Sequence, residues 1–420
     1  MTITPSTREK NGAGLRLELF PCSGGVAEGF RRAGVTFDYS FDVDPDACDS
    51  YEQNHGHRPI QMDVQDLLRM LQGGAWVAGR PVDLLVADPP CTPWSRSGKR
   101  KGLEDERDML LETAAIIELL APRAWLIGNV PGLDDADHWK SVVQPVLGGL
   151  ARRTGFCVDY ASLDAADYGV PQHRVRPFWF GHPSGTPCLR WPDPTHGDWT
   201  TARLDGRAPW KTCKDALQHL SAEDLGRPVR LRWKDGVNGP NHRPSRANEP
   251  AATLTKNTHS DGTILIASKE DVRERHLPNK PDAPSGVVRV NGGLSSGGAS
   301  TLEWPWDRPS TTVNAEDRIM PPGHHDGSNL SQPNAVILSE KAAAILQGFP
   351  ESWVFSGATK KARWSQIGQA MPPGLMEPVA RQIARWFDGA RSWPCPVAGC
   401  TERAPFGQCC TKHQEPRHAA

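Results

Sequence analysis

The chain has 420 residues, enough for two or three domains with a sizeable buried core. Its 48 basic and 49 acidic residues give a formal charge of −1, so it is no global polycation and any nucleic-acid surface must be local. It has no run of roughly 18 apolar residues, and the polar start Met1–Gly14 lacks a secretory core. A cytoplasmic protein is therefore expected, with no membrane partner.

Residues 15–180 alternate short apolar runs with amphipathic stretches, which predicts an α/β domain with a mostly parallel sheet. Strands are predicted at Leu15–Phe20, Thr36–Asp42, Asp83–Ala87, Ala124–Gly128 and Phe178–Gly181, and helices at Ala27–Ala33, Pro45–Asn54 and Arg107–Leu120. From 182 to 335, Pro, Gly, Asn and Trp rise and helical periodicity disappears, the mark of a second, loop-rich domain. Within it, Pro250–Thr255 and Pro309–Asn314 look alike and are candidates for paired strands. Arg227–Arg246 gathers six basic residues against Asp235 alone, a local polyanion surface that includes Arg230, Arg232 and Lys234. Helices return at Ser339–Gly348 and Pro378–Phe387.

Of ten cysteines, six are scattered singly and four (Cys395, Cys400, Cys409, Cys410) cluster at the end. That is no disulfide framework; it suits a reducing compartment, special thiols and a metal knot. Cys395, Cys400, Cys410 and His413 have the spacing of a small tetrahedral zinc site, with Cys409 as a substitute for Cys410. The alternative is a tail with unrelated thiols.

The first strand runs into Phe20-Pro-Cys-Ser-Gly-Gly-Val-Ala-Glu-Gly-Phe30, a glycine-bearing turn that opens a helix and lets a ligand approach backbone N–H groups. Asp42-Val-Asp44 follows about one strand later, suited to ribose hydroxyls, and then Asp63. These residues point to a nucleoside cofactor; ordinary turn glycines and surface acids are the competing reading. Asp88-Pro-Pro-Cys91-Thr-Pro-Trp-Ser95 follows the strongest strand. Its prolines fix the backbone before a cysteine at a strand's carboxyl end, where α/β sites form. A flexible basic loop, Lys99-Arg100-Lys101-Gly102, comes next, favouring an activated nucleophile beside a polyanion.

Together these segments resemble the DNA (cytosine-5) methyltransferase family along residues 15–387. Pro90-Cys91 resembles the family's catalytic Pro-Cys, Gly128-Asn-Val-Pro-Gly132 its Glu-Asn-Val block, and Gln172-His-Arg174-Val-Arg176 its Gln-x-Arg-x-Arg block. Ile367-Gly-Gln-Ala-Met-Pro372 resembles the closing block that folds back on the cofactor. The resemblance implies an S-adenosylmethionine-dependent, Rossmann-like mixed sheet over 15–181 and 336–388, with a smaller target-recognition domain over 182–335. Residues 1–14 would be a flexible N-terminus and 389–420 a Cys/His-rich tail. It implies that Phe20, Cys22, Ser23, Gly24, Gly25, Asp42, Val43, Asp63, Pro89, Gln369 and Ala370 hold S-adenosylmethionine. Cys91 would be the nucleophile that adds to C6 of a flipped-out cytosine, with Asn129, Arg174 and Arg176 around it. Ser95, Lys99, Arg100, Lys101, Gln172, Arg230, Arg232 and Lys234 would meet double-stranded DNA. A bacterial or phage-encoded monomer, compatible with a restriction endonuclease partner, is the matching context.

Three positions depart from the family pattern: Gly128 stands for the Glu, Cys22 for the first glycine of the cofactor turn, and Gln369 for the closing Asn. Gly128 can neither donate a proton nor read the exocyclic amine. The open readings are a weak DNA-binding homologue, a C5-pyrimidine transferase with an altered base or donor, and an acid supplied from elsewhere. Asp88 is the candidate acid, against the plainer role of capping the loop after it.

Overall fold

The computed structural model describes residues 14–74, 80–90, 94, 105, 107–198, 202, 204–228, 266–267, 304–305, 336–389, 393–394 and 403–404. Seven strands form one mixed sheet: β1 (Leu15–Leu19), β2 (Tyr39–Asp42), β3 (Ile60–Gln61), β4 (Val82–Ala87), β5 (Ala124–Gly128), β6 (Phe156–Asp164) and β7 (Val175–Pro183), in the order 3-2-1-4-5-7-6. The first five are parallel, and β7 runs antiparallel to both β5 and β6. Helices α1 (Gly25–Arg32), α2 (Pro45–His55), α3 (Val64–Gln72) and α4 (Leu110–Leu120) connect the parallel strands. A helical segment then opens at Ala136, passes through a π turn at Trp139–Val143 and continues as α5 (Gln144–Thr154).

Both faces of this sheet are covered, and its alternating side chains sort cleanly between two cores. Leu85, Ala87, Trp125, Ile127 and Trp179 pack with Leu110, Ile116, Leu147 and Leu150 on one side. Leu84, Val86, Ala124, Leu126, Phe178 and Phe180 pack on the other against Val26 and Phe30 of α1 and Leu375, Met376, Val379 and Ile383 of the last helix. A strand buried on both faces needs a continuous apolar run, which is what Val82–Ala87 and Ala124–Gly128 supply. One register row crosses the sheet near its carboxyl edge: Phe41, Leu19, Ala87, Ile127, Trp179 and Tyr160. The next step along the strands carries Phe20, Asp42, Asp88 and Gly128, so the site begins where the hydrophobic row ends.

Several predicted elements shift by a few residues: α1 starts at Gly25, and β7 extends to Val175–Pro183. The sequence reading had no counterpart for β3, α3, the 136–154 helix or β6. Pro145 follows the π turn inside this continuous helical run, where a proline argues against a helix in the sequence, and Gly148 and Gly149 dilute its apolar stripe. β6 pairs with β7 alone at the sheet edge and buries none of its residues fully.

After β7 the chain stays on the body. Leu189 and Trp191 join the second core, while Cys213 and Leu217 of α6 (Cys213–Leu217) pack with α7 (Glu340–Leu346) and α8 (Lys360–Gln369). Gly226–Pro228 then pairs antiparallel with Val336–Leu338. Ser339 N–H donates to Leu225 O (2.9 Å), so departing and returning segments are tied together. The last helix, α9, spans Pro373–Gly389 and therefore begins before Pro378, which lies inside it. The look-alike segments Pro250–Thr255 and Pro309–Asn314 lie outside the described residues. No described helix is long and apolar enough to cross a membrane.

Glu18 of β1 is a buried carboxyl in this framework. Ser40 Oγ donates to it at 3.0 Å and the Tyr51 hydroxyl at 3.2 Å, yet burial pushes its pKa up to about 8. The folded chain therefore holds a proton that the unfolded chain releases near pH 4.5. Stability from this group is complete below that pH and is lost as pH rises through about 8. Denaturant titrations across pH 4–9 should show this fall, with a slope of up to about 1.4 kcal/mol per pH unit, and Glu18→Gln should flatten it.

Candidate active site

The sheet order reverses between β1 and β4, and in such sheets the crevice outside the carboxyl ends at the reversal is where ligands bind. Four strand ends open there, joined by the start of antiparallel β7.

The turn after β1 is built by its backbone. Phe20 and Cys22 both have positive φ (59° and 48°), and Gly24 follows at 94°. Cys22 N–H donates to Asp42 Oδ2 (2.8 Å), and Asp44 N–H to Asp42 Oδ1 (3.0 Å). Asp42 is thus a strut between the ends of β1 and β2, and burial raises its pKa. A Cβ on Gly24 would lie 2.5 Å from His55 Nε2, and one on Gly25 only 2.1 Å from Met371 O. No other residue type fits either position. Ser23 is fully buried beside them, with its hydroxyl next to the Cys22 thiol. Val43 stands 60% exposed at the end of β2, an apolar side chain open to the crevice. Asp63 caps α3, accepting from Gln65 N–H at 2.8 Å.

The closing segment returns against this turn. Gln366 Nε2 donates to Ser356 O (2.6 Å), Gln347 Nε2 to Ala370 O (2.8 Å), and the Cys22 thiol to Gln366 O (3.9 Å). Arg174, 2% exposed, donates from Nη2 to Gly368 O (2.8 Å), while its backbone N–H donates to Asp164 Oδ1 (2.8 Å). Arg174 therefore brackets the closing segment to β6. Gln369 is exposed and Ala370 buried.

At the end of β4, Asp88 N–H donates to Leu19 O (3.3 Å), which carries the turn over β1. Asn129, 1% exposed, donates from Nδ2 to Pro89 O (3.3 Å) and accepts from Val130 N–H (2.8 Å), tying the end of β5 to the proline turn. Burial pushes the Asp88 carboxyl up to about 6, and the Arg176 and Arg174 guanidinium groups pull it part of the way back. Arg176, largely buried, donates from Nη1 to Val175 O (2.8 Å). Asp88 and Arg176 thus face one another electrostatically across the crevice. Beyond Pro90, Trp94 is 1% exposed, with Nε1 donating to Asp108 Oδ1 (3.0 Å) and its ring edge-on to His138.

Gly128 has its own explanation. A Cβ there would meet Met371 Cε at 2.9 Å and Phe178 Cε1 at 3.1 Å. The volume that a longer side chain would enter is occupied by the closing segment's methionine.

Gln172, expected at DNA, is fully buried and donates from Nε2 to Leu346 O (3.4 Å). It ties the start of β7 to α7. Cys91, Ser95, Lys99, Arg100, Lys101, Arg230, Arg232, Lys234, Cys395, Cys400, Cys410 and His413 lie outside the described residues. Met371, Trp94, Asp164 and Gln366 are site-building residues that the sequence reading did not single out. Trp94 had a signal, an indole beside Pro93 that needs a buried partner; the other three depend on contacts across the chain.

Cys22 bears left-handed strain that glycine relieves. Cys22→Gly should raise unfolding free energy by about 0.5–1 kcal/mol, after the entropy cost of glycine in the unfolded chain, while Cys22→Ala should not. Denaturant titration of the two variants checks this.

Known proteins agree with this geometry. Residues 15–385 match the family model described as C-5 cytosine-specific DNA methylase. The type II methyltransferase M1.HphI of Haemophilus parahaemolyticus is 26% identical over 378 residues, covering 88% of this chain and 86% of that protein. M.AquIA of Picosynechococcus is 32% identical over 219 residues, 49% of this chain and 88% of its own length. Among solved structures, a prophage-encoded DNA modification methyltransferase of E. coli superposes with a TM-score of 0.54 at 19% identity, over 90% of this chain and 100% of that one. The S. pombe Dnmt2 methyltransferase gives 0.52 at 14% identity, over 89% and 99%, and shares the fold. With nearly its whole sheet and its closing segment inside the match, the chain belongs to the C-5 cytosine-specific DNA methylase family.

Proposed function

We propose that the protein transfers a methyl group to C5 of a flipped-out cytosine in double-stranded DNA, with Cys91 as nucleophile. The observation that carries this reading is the convergence of the Asp88-Pro89-Pro90 turn, Asn129 and Arg176 beside the glycine turn. Cys91 is the next residue after that turn.

The residues of the crevice fit S-adenosylmethionine. The buried Ser23 hydroxyl, the side-chain-free Gly24 and Gly25, the Asp42 carboxylate, exposed Val43 and exposed Gln369 provide polar and apolar contacts of the kind a nucleoside with an amino-acid tail requires. Phe20, Cys22, Asp63, Pro89 and Ala370 complete the expected set. When bound, that donor supplies an electrophilic methyl group on a sulfonium.

This chain's part is to make cytosine nucleophilic. Carbon 5 is unreactive until the Cys91 thiolate adds at C6, which pushes negative charge toward N3 and O2. Arg176 offsets charge at O2, and Arg174 positions the segment behind it. Gly128 offers nothing at N3, so the proton there comes from Asp88, whose raised pKa keeps a useful fraction protonated near pH 6. After transfer, loss of the C5 proton and of Cys91 restores the ring. Base flipping is required because these atoms are stacked inside a duplex.

The segment between Pro228 and Val336 is proposed as the target-recognition lobe, leaving and re-entering the body through the short ladder that joins them. Arg230, Arg232 and Lys234 would contact phosphates, and Ser95, Lys99, Arg100 and Lys101 would close over the flipped base. The tail would bind one zinc ion through Cys395, Cys400, Cys410 and His413. A monomer acting beside a restriction endonuclease fits the type II names of the relatives.

Two measurements test the chemistry. Tritium release from cytosine C5 should accompany methyl transfer, and a 5-fluorocytosine duplex should trap a covalent adduct with the wild type and not with Cys91→Ala. An adduct formed by Cys91→Ala would end the assignment. Because the Cys91 thiolate fraction grows with pH while Asp88 loses its proton near 6, the wild-type rate of adduct formation should climb with pH only up to about 6 and level off above it. Asp88→Asn should be slower by about 100-fold or more and lose that pH dependence. Wild-type rates in Asp88→Asn would reduce Asp88 to a turn residue.

A further inference from the structure

At the end of the sheet opposite the crevice, four polar side chains share one face of the β6–β7 ladder. Cys157 lies directly across from His182, and Asp159 is two residues along β6, so all three project to the same side. The loop after β7 brings Cys188 over them. The ligand atoms of Asp159, His182 and Cys188 all lie within 4.8 Å of one another.

The hydrogen bonds fix which nitrogen of His182 is available. Thr186 Oγ1 donates to Pro183 O (2.6 Å), so its lone pair takes the Nδ1–H of His182 (2.6 Å). That leaves Nε2 as the lone-pair nitrogen. His182 is 1% exposed, and its Nε2 is buried without a hydrogen bond. Yet Nε2 sits 3.1 Å from Asp159 Oδ2, another acceptor, which Leu189 N–H holds in place at 2.5 Å. A carboxylate oxygen at that range from the second ring nitrogen shares a cation with it, a proton or a metal ion. The exposed Cys188 thiol, the residue before Leu189, is the third donor, and Cys157 is a second thiol beside them.

We propose that Asp159, His182 and Cys188 bind one zinc ion. A carboxylate, a neutral imidazole and a thiolate form a donor set that Zn²⁺ accepts, with a fourth position left open on the solvent side. Tetrahedral bonds of zinc length separate these ligand atoms by about 3.3–3.6 Å, so the Nε2–Oδ2 pair would open slightly from 3.1 Å and the sulfur, within 4.8 Å of the others, would move in by about 1.2 Å at most. The Thr186 bond to Nδ1 is the outer contact that orients a zinc-bound histidine. The role is structural. β7 runs away from the crevice, so His182 is roughly 20 Å along the strand from Arg176. The ion would clip the Ser184–Leu189 loop to the sheet edge, and with it Pro187, whose carbonyl accepts from Trp386 Nε1 (2.8 Å), and Leu189, buried in the second core.

The test is Co²⁺ titration of the full-length reduced chain carrying Cys395→Ser, Cys400→Ser and Cys410→Ser, which removes the tail as a competing site. One equivalent should bind with a thiolate-to-cobalt absorption band. Cys188→Ser should abolish the band, His182→Gln should weaken binding about 100-fold or more, and Thr186→Val about 10-fold. Zn²⁺ should raise the Tm of that background and not of its Cys188→Ser derivative. Absence of bound Co²⁺, or a band and stoichiometry unchanged in Cys188→Ser and His182→Gln, would overturn the proposal; a proton shared by His182 and Asp159 would then be the cation.

Discussion

Everything in the crevice depends on one contact between distant parts of the chain: the glycine turn after β1 pressed against the backbone of the closing segment. Gly25 leaves 2.1 Å between an imagined Cβ and Met371 O, and Gly29 would meet Met376 Cβ at 2.4 Å. Neither approach exists with a side chain in place, so the two glycines set how deeply α9 beds against α1. The helix then buries Leu375, Met376, Val379 and Ile383 in the second core. At roughly 1.5–3 kcal/mol per fully buried side chain, that packing is what holds the closing segment over the strand ends. The stretch between Pro228 and Val336 must have both of its ends brought to one place before this helix. The pairing of Gly226–Pro228 with Val336–Leu338 does so.

Behind the crevice lies a set of carboxyl groups held away from water. Glu18, Asp42 and Asp88 sit on β1, β2 and just after β4, and burial raises the pKa of each. Their surroundings separate them. Glu18 meets neutral donors, the Ser40 and Tyr51 hydroxyls and the Ala27 N–H, Asp42 is tied down by backbone N–H groups, and Asp88 faces two guanidinium groups. The first is driven to the neutral form, the second is fixed as a strut, and the third is left near its midpoint at mildly acid pH. Parallel strands that end at one level can carry carboxylates with such different tasks because each strand end meets different neighbours.

Much of this was legible in the sequence, and the limits have physical causes. Val82–Ala87 and Ala124–Gly128 read as buried strands because both faces need apolar residues. Pro at 89 and 90 marks the strand end from local stereochemistry alone. β6 did not read as a strand, because its pattern is set by one neighbour and its side chains stay partly exposed. Gln172 illustrates the deeper limit. Its position in a Gln-x-Arg-x-Arg run pointed to DNA, whereas the Leu346 carbonyl, 174 residues away, decides where its amide goes. Cys22 shows the converse: the departure from glycine was visible, but its φ of 48° and the strain that follows exist only in the folded turn.

Gly128 and Met371 are best understood together. The end of β5 lies against Phe178 of β7 and the closing segment, and the space above Gly128 is filled by the Met371 methyl group. A carboxylate side chain at 128 would have to displace that methionine or lose its place in the crevice. The absence of an acid on β5 leaves this space to the flexible end of the Met371 side chain. In the proposed reaction this shifts the proton-donating role one strand over, to Asp88. There the turn is fixed by Leu19 O on one side and Asn129 on the other, and the Arg176 charge keeps the carboxyl from being locked in its neutral form. Without that opposing charge, full desolvation would drive the group further upward, and it could no longer exchange its proton at the pH where a thiolate must also exist. The strand-end geometry thus couples three choices, glycine on β5, aspartate after β4 and arginine on β7, so that changing any one alters what the other two can do.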